Sequence, residues 1–268
     1  MPQPATPSLP RRLLAEAVGT ALLVSVVVGS GIAAARLSPQ DVGLQLLENS
    51  VATALALVVL ILLMGPVSGA HFNPVVSALD WALSRRGGAG LSGGELGLYV
   101  AVQAVGAIGG AMLANAMFGL APVQVSGHAR VGGHLLLGEV VATGGLVALV
   151  VALARSRRGS LAAPLVACWI GSAYWFTSST SFANPAVTLG RVFSDTFAGI
   201  APGSVPAFVL AQVAGAALGL GLAVALYPAA MPAEADGHRG DRAGHGAVAG
   251  ADHAPPPDPI VVPHPASA

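Results

Sequence analysis

The most constraining feature of this sequence is a series of six long apolar blocks, each near the roughly 20 residues that a helix needs to cross a bilayer. Apolar residues make up 54% of the 268 positions and charged residues only 9%, whereas soluble domains carry roughly a quarter charged residues. Such a chain cannot cover a water-facing surface with polar groups, so we predict a protein embedded in membrane lipid. The predicted spanning helices cover roughly residues 13–35, 46–65, 96–119, 136–155, 162–179 and 205–227.

Two shorter segments follow the second and fifth spans, and each begins with an Asn-Pro pair, Asn73-Pro74 and Asn184-Pro185. Asparagine is a strong helix N-cap, and proline at the first helical position gives up no hydrogen bond that the helix needs. Backbone that is not helical at membrane depth has to be buried or line a water-filled cavity. We therefore predict two re-entrant half-helices, at about 73–84 and 184–195.

The chain repeats three motifs in the same order in its two halves, and three chance matches in register are not plausible. Each half contains three spans, and an odd number of spans inverts the second half relative to the first. The sequence therefore predicts an all-α membrane protein with six transmembrane helices and two re-entrant half-helices in an inverted repeat. Small residues four apart, such as Gly106 and Gly110, let its helices approach closely. The matching segments are 15–20 with 138–143, 73–75 with 184–186, and 103–110 with 212–219.

The positions of the arginines predict how the chain is oriented. All twelve basic residues are arginines, and six spans place nine of them on one side of the membrane. Because positively charged segments stay in the cytoplasm, we predict that both termini of this multi-pass protein are cytoplasmic. These nine are Arg11, Arg12, Arg85, Arg86, Arg155, Arg157, Arg158, Arg239 and Arg242.

The inverted arrangement brings the N-termini of the two half-helices together near the membrane midplane. Each N-terminus carries about +0.5 elementary charge from the aligned peptide dipoles, so the junction repels cations. The side-chain amides of Asn73 and Asn184 can donate hydrogen bonds to a neutral solute, and loop carbonyls can accept them. The sequence therefore predicts a passage for small uncharged solutes. The net charge of zero argues against a nucleic-acid partner. The spans contain neither a nucleophile–base pair nor a metal-ligand spacing, so the sequence does not indicate an enzyme.

These motifs resemble those of the aquaporin and aquaglyceroporin family. The resemblance implies passive transport, no cofactor or bound metal, and a homotetramer with one pore per subunit. It covers a channel domain at residues 11–228, and it rests on residues 15–20, 68–74 and 184–186, on Glu139, and on Gln103 with Gly106 and Gln212 with Gly215.

The rest of the chain forms two tails, and the channel domain divides into two repeats. The second tail is rich in Ala, Pro, Asp, Gly and His with almost no bulky apolar residues, which predicts disorder. The tails cover residues 1–10 and 229–268, and the repeats cover 11–120 and 135–228.

Channels of this family have a selectivity filter formed by four positions, which the resemblance assigns to Thr53, Ser172, Ser181 and Val187. Gly171 and Ala173 are the alternatives to Ser172 if the register shifts by one residue. The fourth position is usually an arginine, which supplies a fixed charge and up to five donors. Small side chains at all four positions predict a wider and less charged opening. Arg191 lies on the same helix face as Val187 but about 6 Å further along the axis. We assign it to the outer vestibule, with compensation for the missing arginine as the alternative.

Segments 182–188 and 193–200 resemble aquaglyceroporin-like channels of bacterial arsenic-resistance gene clusters. That resemblance implies passage of neutral metalloid hydroxides such as arsenite, of methylated arsenicals and of small polyols. It also implies a bacterial-type inner membrane as the location. Arsenous acid is uncharged at neutral pH and resembles a small polyol in its hydroxyl groups. A general water and glycerol facilitator is the alternative within the channel class.

Glu16 and Glu139 are charged residues inside predicted spans, and such residues are usually functional. In isolation they indicate a proton-coupled transporter, which we keep as the less favoured hypothesis. The internal repeat pairs them, and the equivalent residues of the family support the half-helix loops, so we assign both a loop-supporting role. His71, two residues before Asn73, is either a further support of its loop or a gate.

Overall fold

The computed structural model describes residues 7–85 and 90–227, and six of its helices are long and apolar enough to cross a membrane. The predicted number and order of spans are confirmed, although the first helix begins at Leu9, where Pro10 fits a first helical turn. The second predicted tail lies outside the described residues. The helices are α1 Leu9–Leu37, α2 Val42–Ser68, α3 Pro74–Ser84, α4 Gly93–Met117, α5 Gly133–Arg155, α6 Ala162–Phe176, α7 Pro185–Gly190 and α8 Val205–Leu226.

Helix α3 agrees with the first predicted half-helix, but α7 is shorter than the second. It ends at Gly190 and continues as a 3₁₀ turn over Arg191–Phe193. The carbonyl of Phe193 accepts a hydrogen bond from Asn115 Nδ2 at 2.9 Å, and Ser194 Oγ donates to Asn115 Oδ1 at 2.7 Å. Asn115 therefore binds the chain in a conformation that an α-helix continuing to residue 195 could not adopt.

Repeated glycines set the distance between neighbouring helices in both halves. A Cβ atom added at Gly106 or Gly110 on α4 would overlap the carbonyl of Ala17 or Ala21 on α1. The second repeat has the same arrangement between α5 and α8. Side chains at the equivalent glycines of α8 would overlap the backbone of α5. Only glycine permits this approach of two backbones. The equivalent contacts are Gly215 with Val140 and Gly219 with Gly144.

The outward faces of the long helices are apolar. Leu55 and Val59 on α2 are 65% and 61% exposed, and Leu210 on α8 is 70% exposed. Isolated apolar side chains are common on soluble proteins, but continuous apolar faces of this length are suited to hydrocarbon or to another protein surface. Polar side chains are instead concentrated inside, where Glu16, Glu139 and other buried polar groups lie.

Substitution of Gly110 by alanine should destabilise the fold, because the new methyl group would overlap the backbone of α1 at Ala21. Overpacking of this kind costs about 1–3 kcal/mol. Gly109 is the matched control, since the space beside it is open. We expect a lower melting temperature in detergent for Gly110→Ala and little change for Gly109→Ala, and equal melting temperatures would contradict this packing.

Candidate functional site

The loops that precede the two half-helices adopt the same strained backbone. Ala70 and Phe72 have φ angles of 50° and 48°, and the equivalent Ser181 and Ala183 have φ angles of 50° and 47°. The left-handed region costs a residue other than glycine roughly 1–2 kcal/mol, so each loop needs strong support. This conformation interrupts regular secondary structure. It leaves backbone N–H groups of the loop free to form hydrogen bonds with partners outside the loop.

Glu16 supports the first loop from inside α1. Its carboxylate accepts hydrogen bonds from the backbone N–H groups of His71 at 2.9 Å and Phe72 at 2.7 Å. Ser68 Oγ donates to the same carboxylate at 2.6 Å, and Gln103 Nε2 donates at 2.8 Å. The buried charge is therefore surrounded by donors, which stabilise both the carboxylate and the loop.

Glu139 has the equivalent role in the second repeat. Its two oxygens accept from the N–H groups of Phe182 and Ala183, each at 2.9 Å, and Gln212 Nε2 donates at 2.6 Å. Neither Glu139 nor Glu16 lines the cavity described below. Their contacts are those of loop supports.

The two asparagines cross at the junction of the half-helices. Asn73 Nδ2 donates to the carbonyl of Ala183 at 2.8 Å, and Asn184 Nδ2 donates to the carbonyl of Phe72 at 2.7 Å. Their Oδ1 atoms accept from the first turns of α3 and α7, as N-caps do. Pro74 and Pro185 occupy the predicted first helical positions. Each amide nitrogen keeps one further hydrogen for another acceptor.

A cavity of about 270 Å³ runs past both asparagines. Each helix contributes a stripe of residues from one face to the wall of this cavity. Along a helix these residues recur every three or four positions, which is the spacing of one helix face. Apolar side chains dominate these stripes, and loop backbone and the asparagines supply polar groups between them. The stripes include Leu23 and Val27 on α1, Thr53, Leu57 and Ile61 on α2, Val150 and Ala154 on α5, and Ala162, Val166, Ile170 and Tyr174 on α6.

Three of the four predicted filter residues line this cavity, and one does not. Thr53, Ser181 and Val187 are buried in its wall. Ser172 is exposed on the outside of α6, and its hydroxyl donates to the carbonyl of Trp169 at 2.9 Å. Its assignment to the filter is therefore wrong. The stripe of α6 passes through Ile170 and Tyr174, and a residue midway between them points to the opposite side of the helix.

Tyr174 takes the place that was assigned to Ser172. It is 3% exposed, lines the cavity, and its hydroxyl lies 3.2 Å from Thr53 Oγ1. The regular spacing of Ala162, Val166, Ile170 and Tyr174 could have identified it from the sequence, whereas counting back across the loop from Asn184 could not. Small side chains therefore do not form the whole ring.

Arg191 is also placed differently from the prediction. It is 2% exposed and lines the same cavity as Val187, one helical turn away, so it does not lie in an open vestibule. Its guanidinium carbon lies 3.4 Å from the centre of the Phe182 ring, and its Nε donates to the carbonyl of Ala198. Within the described part of the chain, its terminal nitrogens have no protein acceptor.

A second arginine, Arg130, approaches the same aromatic ring, and sequence reasoning assigned it no part in the site. Its guanidinium carbon lies 4.9 Å from the centre of the Phe182 ring, and its side chain donates to the carbonyls of Gly199 and Phe197. Burial lowers the pKa of Arg130 from its ordinary value. No sequence signal indicates this contact, because Arg130 belongs to the loop between α4 and α5.

His71 lines the cavity at the position that Phe182 occupies in the second repeat. Its Nδ1 lies 3.1 Å from Ser77 Oγ, and its ring packs against Tyr99, with the ring centres 5.5 Å apart. The equivalent pair of Phe182 and Phe208 has ring centres 5.2 Å apart. His71 both supports its loop and faces the passage, so the two predicted roles are compatible. In the described residues, no cluster of three potential metal ligands occurs.

The chain is similar to several known proteins. The family described as "Major intrinsic protein" matches residues 4–180, a match that ends before the second asparagine. Aquaglyceroporin AqpS of Rhizobium meliloti is 50% identical over 197 residues, which cover 74% of this chain and 82% of that protein.

Relatives of lower identity are also similar to this chain. The glycerol uptake facilitator protein of Pseudomonas aeruginosa is 32% identical, covering 74% of this chain and 78% of its own length. Aquaporin NIP2-2 of Zea mays is 33% identical, covering 72% of this chain and 65% of its own length. The X-ray structure of the aquaglyceroporin from Plasmodium falciparum superposes with a TM-score of 0.58 at 19% identity, covering 81% of this chain and 94% of that one.

Cysteine labelling tests which face of α6 lines the passage. In a Cys168→Ala background, which removes the exposed native thiol, we expect a small thiol reagent to reduce solute flux through Tyr174→Cys but not through Ser172→Cys. Position 174 faces the cavity and position 172 faces outward. Inhibition through position 172 alone would restore the original assignment.

Replacing Glu139 by glutamine should destabilise the second loop. Glutamine offers one acceptor oxygen where two backbone N–H groups need one each, and an unsatisfied buried group costs about 1–3 kcal/mol. Glu48→Gln is a suitable control, since Glu48 accepts a single hydrogen bond from Ser38 that glutamine can keep. Thermal melting in detergent should separate the two variants, and a Glu139→Gln protein as stable as the control would contradict the supporting role.

Proposed function

The chain belongs to the major intrinsic protein family, whose members are channels and not enzymes, and we propose that this channel passes neutral metalloid hydroxides, methylated arsenicals and small polyols. Passive movement of small solutes through the membrane is the activity of this family. The solute class is our inference from the side chains that line the narrow part of the cavity.

The hydroxyl groups of the filter carry this proposal. Thr53 and Tyr174 present two hydroxyls 3.2 Å apart. Ser181 Oγ is buried and, among the described residues, has no hydrogen-bond partner. Arg191 lines the same cavity and adds donors. A solute with several hydroxyl groups can replace the water that it loses here with bonds to these groups, and arsenous acid and glycerol are both solutes of this kind.

Val187 supplies an apolar side to the same ring. It is 5% exposed and lies where channels of the family usually have an arginine. A valine lowers the cost of removing water from a methyl or methylene group, whereas an arginine there would raise it. We therefore propose a filter that combines an apolar group with hydroxyl groups, which suits methylated arsenicals and polyols better than water alone.

A general water and glycerol facilitator is the second candidate, because the similar Pseudomonas aeruginosa protein is a glycerol uptake facilitator. A proton-coupled transporter is less favoured. Glu16 and Glu139 are each bonded to loop N–H groups and lie outside the cavity wall. A coupled carrier would need a titrating group that meets the solute or the proton along the passage.

We further propose that the channel lies in a bacterial inner membrane with both termini in the cytoplasm, since nine of its arginines would then be cytoplasmic. A homotetramer is consistent with the exposed apolar faces of α2 and α6, where Leu55 and Trp175 are 65% and 51% exposed. Detergent-corrected mass measurement would test the tetramer.

Uptake of arsenite, methylarsenite, glycerol and water by proteoliposomes tests the solute class. We expect all four to enter through the wild type, and we expect Val187→Arg to reduce entry of the three larger solutes more than entry of water. The reason is that a guanidinium at this position narrows and charges the ring.

Val187→Leu is the control for this experiment, because it changes size and keeps the apolar character. It should retain more solute entry than Val187→Arg. Rapid water flow through the wild type without solute entry would contradict the proposal, as would equal losses of water and solute in the arginine variant.

A further inference from the structure

Asp80 and Arg191 occupy equivalent positions in the two repeats and carry opposite charges. Each stands seven residues after the asparagine that begins its half-helix. Both side chains line the cavity, on the same helix faces as Val76 and Val187 respectively. The inverted repeat therefore places a carboxylate towards one end of the passage and a guanidinium towards the other.

The two charges are too far apart to neutralise one another. Seven residues at 1.5 Å each place each side chain about 10 Å from the central junction, on opposite sides of it. The resulting separation of roughly 20 Å is far greater than the roughly 4 Å of an ion pair. An ion in the wet passage therefore meets each charge separately.

Neither charge has an opposite partner in the described structure. Within residues 7–85 and 90–227, the ion pairs join Arg12 with Glu95 and His128 with Asp195. Asp80 Oδ2 accepts a hydrogen bond from the backbone N–H of Leu91 at 2.8 Å. Arg191 donates to the carbonyl of Ala198. These neutral partners fix the side chains and leave their charges in place.

The walls beside Asp80 increase the effect of its charge. Leu79, Leu83, Val151 and Ala154 line the same end of the cavity and provide no polar groups from their side chains. A charge beside apolar walls is screened less than one in bulk water, so its repulsion of like ions is stronger.

We propose that Asp80 acts as a charge barrier that excludes anions, at the end of the passage opposite to Arg191. The half-helix N-termini make the centre of the passage positive, which repels cations and by itself attracts anions. Asp80 supplies the barrier against anions that the centre lacks. This inference rests on the passage of neutral solutes proposed above, and it adds one residue, Asp80, that determines the selectivity against anions.

Ion entry into proteoliposomes that contain the full chain tests this assignment. Entry of iodide and of potassium is followed with two entrapped fluorescent indicators, and glycerol entry is measured on the same vesicles. Asp80→Asn removes the charge and keeps an acceptor for Leu91 N–H, and Arg191→Gln removes the opposite charge. Asp41→Asn is the matched control, since Asp41 caps α2 outside the cavity and asparagine is also a good cap.

We expect Asp80→Asn to raise iodide entry by at least about tenfold without raising potassium entry. Arg191→Gln should not raise iodide entry, while Asp80→Glu and Asp41→Asn should resemble the wild type. Asp80→Ser is the second charge-removing variant if Asp80→Asn does not fold.

Wild-type iodide exclusion by Asp80→Asn or Asp80→Ser with normal glycerol entry would overturn the inference, as would an equal rise of iodide entry in Asp41→Asn. If the wild type passes water but neither glycerol nor arsenite, the proposed solutes are contradicted. If the variants still show the expected ion entry in that case, the charge barrier at Asp80 is supported.

Discussion

The fold depends on satisfying two stretches of irregular backbone in the middle of a membrane. Lipid offers no hydrogen bonds, so a loop at this depth is stable only if protein groups bind it. Glu16 and Glu139 each bind two consecutive N–H groups of a loop. Asn73 and Asn184 then bind one carbonyl of the opposite loop. Together these contacts join the two repeats and create the passage at their junction.

The same contacts explain why the architecture could be predicted from the sequence. About 20 consecutive apolar residues are enough to indicate a spanning helix, and Asn73-Pro74 is a local signal for a helix start. The internal repeat then fixes the inversion without any knowledge of distances. The close approach at Gly106 and Gly110 likewise follows from small residues four apart.

The filter was harder to predict, because its members meet only through tertiary structure. Ser172 was placed by counting back from Asn184 across an irregular loop, and such a count fails when the loop conformation changes the register. Tyr174 is identified instead by the helical stripe on α6. The stacking of Arg130 and Arg191 on Phe182 joins a loop between repeats to a half-helix, and no local pattern encodes that contact.

The passage combines groups that bind neutral solutes with charges that oppose ions. Hydroxyl groups of Thr53 and Tyr174 and the methyl groups of Val187 line the same cavity. The charges of Asp80 and Arg191 stand on either side of the positive junction. A solute without charge crosses both ends, whereas an ion of either sign is repelled at one of them.

An experimental structure of the protein in lipid provides the most direct test. It should show Asn73 Nδ2 near 2.8 Å from the carbonyl oxygen of Ala183 and Asn184 Nδ2 near 2.7 Å from that of Phe72, with ordered water passing both side chains. Asparagines that lie far apart, or that face lipid away from a continuous water-filled path, would contradict this interpretation.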